Sequence, residues 1–414
     1  MGPQLKDTGA PAPLEQRTRS GMDFRLEPQH IKTAQEINDY LDGLHSSGKI
    51  DLEELAKGHG GRFGEYGPKE RAFIAQLGAD GWIGLATPKA YGGRGLSFVE
   101  QWIFHEELSF RRLPTGSMLT QAVIPSMTLF ASDEMKARFL PDCLSGKVLM
   151  AIGYSEPGAG TDLAALTTRA DRVPGGYKLN GHKTWCSHAH TATHIWLAAR
   201  TGTPESRHKG ISMFVVPTNL EGITIRPIPT QMQESVNDVF FDDVFISEDM
   251  RLGDENRGWQ YITGQLNFER VFLHSEMLYE HYRDAQWLRD NGDLSEGERE
   301  YNRRQLARIA ADIHVSRLMA LRAAWMMDAG LTSSQLEASI SKLINTETHQ
   351  RAGIEMFQMM GTEGQISHWD PAAHCGGRPV RAYLSTPAVK FGGGTNELQR
   401  DLVAGFGMGM PRTR

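Results

Sequence analysis

The chain has 414 residues, 40% of them hydrophobic and 23% charged, and a formal net charge of −6. Such a length and balance suit a soluble globular protein of two or three layers or domains, and the charge gives no general footing for nucleic acid or an anionic membrane. The three cysteines, Cys143, Cys186 and Cys375, are far apart and form no Cys-x-x-Cys pair, which argues against a disulfide framework or a structural zinc site.

Residues 1–27 are rich in Pro, Gly and charge and lack an apolar segment, so a flexible tail is expected rather than a signal or transit peptide. A cytoplasmic location follows as the expectation, since no apolar run approaches the ~20 residues of a membrane helix. From Pro28 to Ser145 the spacing is helical: Ile31, Ile37, Leu41 and Leu44 recur at helix period, as do Phe73, Leu77 and Trp82. Trp82–Gly95, with Pro88 and several glycines, reads as a loop. Helix spacing resumes from Ser97 through Trp102, Ile103 and Leu108, and again over Ser132–Leu144, where Ser132-Asp133-Glu134 is a helix start.

From Leu149 to about Phe245 the period becomes two. Gly176–Gly181 reads as a strand and turn, and His194–Arg200, Gly210–Pro217 and Val239–Ile246 as strands, which predicts a small barrel or sandwich. His188, His190 and His194 fall here and read as ordinary strand-region histidines, so no metal is expected. Helical period returns after Gly258, predicting helices over Trp259–Leu278, Arg303–Met327 and Ser333–Met360, and a last one after Gly392-Gly-Gly394. The expected divisions are 28–148 helical, 149–257 β and 258–414 helical.

Ala151-Ile-Gly-Tyr-Ser-Glu-Pro-Gly-Ala-Gly-Thr-Asp162 begins apolar and ends in glycines, hydroxyls and a carboxylate. A strand edge that stops in glycines lets a flat ligand lie against the backbone. Lys183-Thr-Trp-Cys-Ser187 repeats the idea with a cation, an aromatic plate and small polar groups. Two such edges suit a planar polar ring system; a hairpin with ordinary turn glycines is the alternative. Glu269, in Asn267-Phe-Glu-Arg270, lies among apolar positions, where desolvation would suit a general base. The alternatives are an exposed glutamate or an ion pair with Arg270 or Arg322. Gly392–Thr395 admits a ligand close to a helix start, or is a glycine-rich start capped by Thr395. It matches neither a Walker A loop nor a Rossmann fingerprint.

Taken together these segments resemble the acyl-CoA dehydrogenase family of flavoproteins. Gly81–Ser97 is similar to the family's Gly-Trp-x-Gly-Leu-x-x-Pro-x-x-Tyr-Gly-Gly-x-Gly-Leu-Ser loop, and Tyr154–Asp162 to its Thr/Ser-Glu-Pro-x-x-Gly-Ser/Thr-Asp signature. Asn180–His188 resembles Asn-Gly-x-Lys-x-Trp-Ile-Thr/Ser-Asn, Val239–Trp259 the Val-x-Phe…Leu-Gly-x-x-x-x-Gly-Trp segment, and Phe391–Arg400 the closing Glu-Gly-Thr-x-x-Ile-Gln-Arg. The resemblance implies an α+β fold: an N-terminal α-helical domain, a central β-barrel and a C-terminal four-helix bundle. It implies FAD as cofactor, with Tyr154, Ser155, Gly160, Thr161, Trp185, Ser187, Thr395 and Glu397 at the flavin. Thr161, Arg270, Gly393 and Gly394 would meet an acyl-CoA substrate. The chemistry implied is α-proton abstraction with hydride transfer to the flavin N5, helped by hydrogen bonds to the thioester carbonyl.

Two departures from the family pattern stand out. The usual base position before the closing Gly-Thr is Gly393, which cannot take a proton. A subset of the family carries the base on the first helix of the C-terminal bundle before an arginine, and Glu269-Arg270 matches it. Replacing bulky side chains by Gly392-Gly393 would favour branched or cyclic acyl groups. Asp284–Asp293 lacks the Arg-x-x-Phe-Gly motif that reaches a neighbouring subunit's FAD. A homotetramer or dimer, or an α2β2 heterotetramer, is thereby implied, with an electron-transferring flavoprotein as oxidant. A non-catalytic or half-site subunit, or a variant doing desulfination, reduction or carrier-protein chemistry, is the alternative function.

Overall fold

The computed structural model describes residues 25–57, 67–116, 118–232, 236–272, 275–330, 334–367 and 370–411. The expected tail lies almost wholly outside the described residues.

Helices come first: α1 (Pro28–Ser46), α2 (Leu52–Lys57), α3 (Pro68–Ala79), α4 (Phe98–Phe110), α5 (Ile124–Phe130) and α6 (Asp133–Leu144). Proline opens α1 and α3, where its missing N–H costs no helix bond. At α4 the Ser97 hydroxyl accepts from the Glu100 N–H while Glu100 accepts from the Ser97 N–H, a reciprocal cap. Ser132 caps α6 in the same sense through the Met135 N–H. Ile37, Leu41 and Leu44 of α1 share a core with Phe73, Leu77 and Trp82. Ile31, expected on that stripe, faces solvent. Trp82–Gly95 is a loop with one short helical turn at Lys89–Tyr91.

The strands are β1 (Met150–Gly153), β2 (Arg169–Val173), β3 (Gly176–Ser187), β4 (His194–Arg200), β5 (Ile211–Pro217), β6 (Ile223–Ile228), β7 (Val236–Ser247) and β8 (Arg251–Leu252). They pair in the order β6-β7-β3-β2-β4-β5-β8, with β1 parallel on β4. The expected barrel is therefore an open sheet. Among the described residues, the strand pairing between its two halves is the single register point Arg169 of β2 with Arg200 of β4. One edge is the two-residue β8, too short to zip to β6 at the other. The expected turn at Gly181 is also absent: β3 continues to Ser187, and the tight turn falls at Pro174-Gly175 between β2 and β3.

Strand alternation splits β4 and β5 between two cores. Ile195, Leu197, Ala199, Phe214 and Val216 point between the folded halves of the sheet. Trp196, Ala198, Ile211, Met213 and Val215 point outward into the core shared with both helical regions. That two-sided burial explains the nearly unbroken apolar run in each strand.

After the sheet come α7 (Gly258–Phe272), α8 (Ser275–Asn291), α9 (Glu296–Asp328), α10 (Ser334–Met360), α11 (Arg378–Ser385) and α12 (Asn396–Leu402). Of the helix expected over Trp259–Leu278, 259–272 and 275–278 are helical, and residues 273–274 lie outside the described residues. α7 starts hard against the sheet: a Cβ on Gly258 would lie 2.8 Å from the Ile211 carbonyl oxygen. Asp328, the last residue of α9, caps a different helix, accepting from the Phe98 and Val99 N–H groups of α4 at 2.6 and 3.0 Å. Among the described residues no helix is long and apolar enough to cross a membrane.

Two buried imidazoles give the fold an acid limit. Burial pushes His105 on α4 down to about 3 and His281 on α8 down to about 4. Below their ordinary value of 6.5 the unfolded chain takes these protons first. Their stabilising contribution is therefore present above pH 6.5 and is lost as the pH falls toward 4 and then 3. Each costs about 1.4 kcal/mol per pH unit within its window. In urea titrations His105→Gln is expected to flatten the fall in stability between about pH 6 and pH 4; a profile parallel to the wild type would contradict this.

Candidate active site

The two edges read from the sequence are neighbours. The Thr184 N–H donates to the Ser155 carbonyl at 2.9 Å, beside the end of β1. Lys183, expected to face a ligand, instead turns inward and is completely buried. Its ammonium donates to Glu156 Oε1 at 2.8 Å and to the Tyr154 carbonyl at 2.9 Å. Glu156 also accepts from the Thr167 N–H and hydroxyl and the Thr168 N–H, at 2.6, 2.7 and 2.8 Å. Burial works to raise the Glu156 carboxyl, but the Lys183 charge and these hydrogen bonds prevail and hold it at about 2. Burial draws the Lys183 ammonium down while the Glu156 charge opposes it. The pair is an internal brace that fixes one edge against the other.

The brace frees the next residue to project. The β3–β7 register slips between Lys183 and Cys186, and Trp185 sits in that bulge at φ 60°. A left-handed conformation is costly for a bulky residue, and bulges re-aim side chains. The indole is 59% exposed, an unusual state for a ring this large. Ser187 is half-buried beyond it, and Ser155 is half-buried on the facing edge. Gly160 and Thr161 are exposed. A Cβ added to Gly158 or Gly160 would meet nothing within 4 Å, so open space lies against this backbone. Asp162 closes the loop through two contacts to the Arg207 guanidinium, at 2.7 and 2.8 Å.

Glu269 on α7 is buried, with 5% of its surface exposed. Gln265, four residues earlier and so on the same helix face, donates from Nε2 to Glu269 Oε2 at 3.0 Å. Gln265 Oε1 accepts from the Tyr154 hydroxyl at 2.9 Å, and that oxygen accepts from the Trp196 indole N–H at 3.1 Å. Tyr154, expected to line a flavin, thus aims its side chain at α7. Arg322, considered as a partner of Glu269, lies 3.6 Å from Glu337.

Arg270 is buried too, and burial lowers its guanidinium to about 10, against the pull of the Glu269 charge. Its Nε donates to the Gly393 carbonyl at 3.0 Å, and Gln399 Nε2 reaches the Gly393 and Gly394 carbonyls at 3.3 Å each. The glycine loop is therefore tied to the helix that carries Glu269. Gly394 has φ 88°, and a Cβ there would lie 2.7 Å from Gln399 Nε2, so the loop needs glycine at this point. Gly392, by contrast, opens onto empty space. Thr395 caps α12 through the Leu398 N–H, leaving Glu397 exposed in its first turn.

The structure thus joins Tyr154, Glu269, Arg270 and the Gly393–Gly394 carbonyls in one bonded cluster, with Ser155 and Trp185 on the adjoining edges. Glu156, Gln265 and Gln399 were not among the expected site residues. For Gln265 the signal was present in its spacing of one helical turn from Glu269. A buried carboxylate beside a buried guanidinium, next to open glycine backbone and an exposed aromatic plate, can take a proton from a ligand lying over a flat ring.

Comparison with known proteins agrees with this geometry. Family models match in sequence order: acyl-CoA dehydrogenase, N-terminal domain, at residues 53–147; middle domain at 151–244; C-terminal domain at 256–407. Acyl-CoA dehydrogenase FadE26 of Mycobacterium tuberculosis is 36% identical over 404 residues, covering 94% of this chain and 99% of its own. FadE29 of the same organism is 33% identical, covering 94% and 98%. Among solved structures, the Tcur3481-Tcur3483 steroid ACAD superposes with TM-score 0.83 at 34% identity, covering 95% of this chain and all of that one. The ChsE4-ChsE5 complex from Mycobacterium tuberculosis gives 0.81 at 33%, with the same coverage. The chain belongs to the acyl-CoA dehydrogenase family of FAD-dependent oxidoreductases.

Proposed function

We propose that the chain dehydrogenates an acyl-CoA thioester to the trans-2-enoyl-CoA, with Glu269 as the base. The observation that carries this reading is the burial of Glu269 beside Arg270, on a helix bonded to the Gly393 carbonyl. Gly393 itself, at the family's commoner base position, has no group to accept a proton.

The residues present fit the cofactor. Open space over Gly158 and Gly160 and the projecting Trp185 ring form a cradle for a flat ligand. Ser155, Gly160, Thr161, Trp185 and Ser187 would hold FAD from the sheet, and Thr395 and Glu397 from α12. When bound, FAD supplies an acceptor for the β-hydride at its N5. The Glu269 carboxylate takes the α-proton, and the electron pair left behind becomes the α,β double bond as the β-hydrogen leaves with its own pair. Thr161, Arg270, Gly393 and Gly394 border the thioester side. The missing side-chain volume at Gly392 and Gly393 suits branched or cyclic acyl groups.

The two solved structures supply one further element, since each is named for two proteins, Tcur3481-Tcur3483 and ChsE4-ChsE5. Assembly with a second chain of the same family is accordingly part of the proposal, with an electron-transferring flavoprotein as oxidant. The test is the visible spectrum of the purified protein, alone and with such a partner, titrated anaerobically with octanoyl-CoA, isobutyryl-CoA and cyclohexanecarboxyl-CoA. Bleaching of the flavin with formation of an enoyl-CoA supports the reading. A yellow protein that none of them bleaches opposes it.

Trp185 gives a separate check. Its ring is mostly exposed, so Trp185→Ala should leave the stability of the apoprotein within about 0.5 kcal/mol. FAD affinity should fall about ten-fold, the worth of one aromatic contact. Equal affinities by fluorescence titration would remove Trp185 from the flavin site.

A further inference from the structure

We infer that Gln265, Tyr154 and Trp196 form a positioning relay that sets the orientation of the Glu269 carboxylate and registers it against the flavin edge. The inference rests on the reading of Glu269 as the base.

The argument begins at the indole. Trp196 Nε1 can only donate, and it donates to the Tyr154 hydroxyl oxygen. The phenol must then give its single proton elsewhere, and it gives it to Gln265 Oε1. The Gln265 oxygen can only accept, so that contact decides which way round the amide lies. Its Nε2 is thereby presented to Glu269 Oε2. Each link has one permitted direction, and the chain ends with a donor facing a carboxylate. Burial pushes the Tyr154 phenol up, so it remains a neutral donor throughout the working pH range.

All three relay side chains are buried, Trp196 and Gln265 completely. Buried networks of this kind hold a unique geometry when every member is satisfied. The donor on Oε2 fixes the plane in which the carboxylate lies. Arg270 on the same helix and Tyr154 from the sheet both feel the Glu269 charge. The relay also crosses between modules. Trp196 stands on β4, Tyr154 follows β1, and Gln265 stands on α7. The Tyr154 carbonyl is held by Lys183. The same residue is thus locked by its main chain to the flavin edge and by its side chain to the base.

The test uses the FAD-loaded protein and the variants Gln265→Leu and Tyr154→Phe. The Phe variant removes one oxygen atom and keeps the ring, so it serves if the Leu variant fails to fold. Infrared difference spectra give a readout independent of turnover. The carboxylate stretching bands of Glu269 are identified by their absence in Glu269→Gln. Their splitting should change in Gln265→Leu and, to a smaller extent, in Tyr154→Phe, as expected for loss of a hydrogen-bond donor on one oxygen. In stopped-flow reduction with whichever acyl-CoA bleaches the wild type, the reduction rate constant should fall about ten-fold with the apparent substrate Kd unchanged. Unmoved bands and an unchanged rate constant in both variants overturn the relay. If Glu269→Gln itself turns over at the wild-type rate, the base assignment fails instead, and the two failures are told apart.

Discussion

Glu269→Gln is expected to slow substrate-driven bleaching of the flavin by about 10²–10⁴-fold, the usual worth of a positioned base. The exchange is nearly isosteric, so the packing of a residue with only 5% of its surface exposed survives it. The amide oxygen can still accept from Gln265 Nε2, which leaves that contact satisfiable. What is lost is the basic carboxylate oxygen, since an amide oxygen accepts a hydrogen bond but does not hold the proton. Arg270 loses the neighbouring charge that offsets its burial, a secondary cost to stability rather than to flavin binding. The variant should therefore purify yellow, bind substrate and fail to reduce. Glu269→Asp keeps the carboxylate but withdraws it by one methylene, so it should fall between the two. Stopped-flow reduction measures all three; an unchanged rate in Glu269→Gln would return the site to a structural role.

The second large effect is expected at Lys183. Removing one partner of a fully buried ion pair typically costs about 3–5 kcal/mol, because the other charge stays buried without compensation. Lys183→Met keeps the length of the stem and deletes the ammonium that holds Glu156 and the Tyr154 carbonyl. The pH dependence should change as well. In the wild type Glu156 lies at about 2, below its ordinary 4.5, so its stabilising contribution is present above pH 4.5 and is lost as pH falls toward 2. In Lys183→Met the Lys183 charge no longer opposes burial and the carboxyl moves up, so less of that acid-side loss should remain. The double variant Lys183→Met with Glu156→Gln should recover part of the loss at neutral pH. Urea denaturation across the acid range distinguishes these outcomes. Equal stability of Lys183→Met and wild type at neutral pH would mean that the brace is not what joins the two edges.

Much of the fold can be read from spacing because spacing reports burial on one element at a time. The stripe of Ile37, Leu41 and Leu44 is buried, and the unbroken apolar runs of β4 and β5 match strands covered on both faces. Ile31 lies off that stripe: at about 100° per residue it is turned about 120° from Ile37, while His30 in the same turn is on the stripe and buried. Sheet closure was not readable, since it depends on edge pairing between segments far apart in sequence and on a strand only two residues long. At the site, Glu269 and the glycine loop announced themselves by residue type. The Lys183–Glu156 pair did not, because a lysine beside an exposed tryptophan looks like a ligand contact until its burial is known. The Trp196–Tyr154–Gln265 links span 42 and 111 residues, beyond the reach of any local pattern.

The cap that Asp328 places on α4 has a consequence for how the chain is made. The first turn of α4 waits for a carboxylate encoded 230 residues later. Glu106 on the same helix waits nearly as long for Arg317. At ribosomal rates of roughly 5–20 residues per second the interval is on the order of 10–50 s. Through that interval the local Ser97–Glu100 cap stands alone, the Phe98 and Val99 N–H groups wait for their acceptor, and the apolar face of the emerging helices has no bundle to cover it.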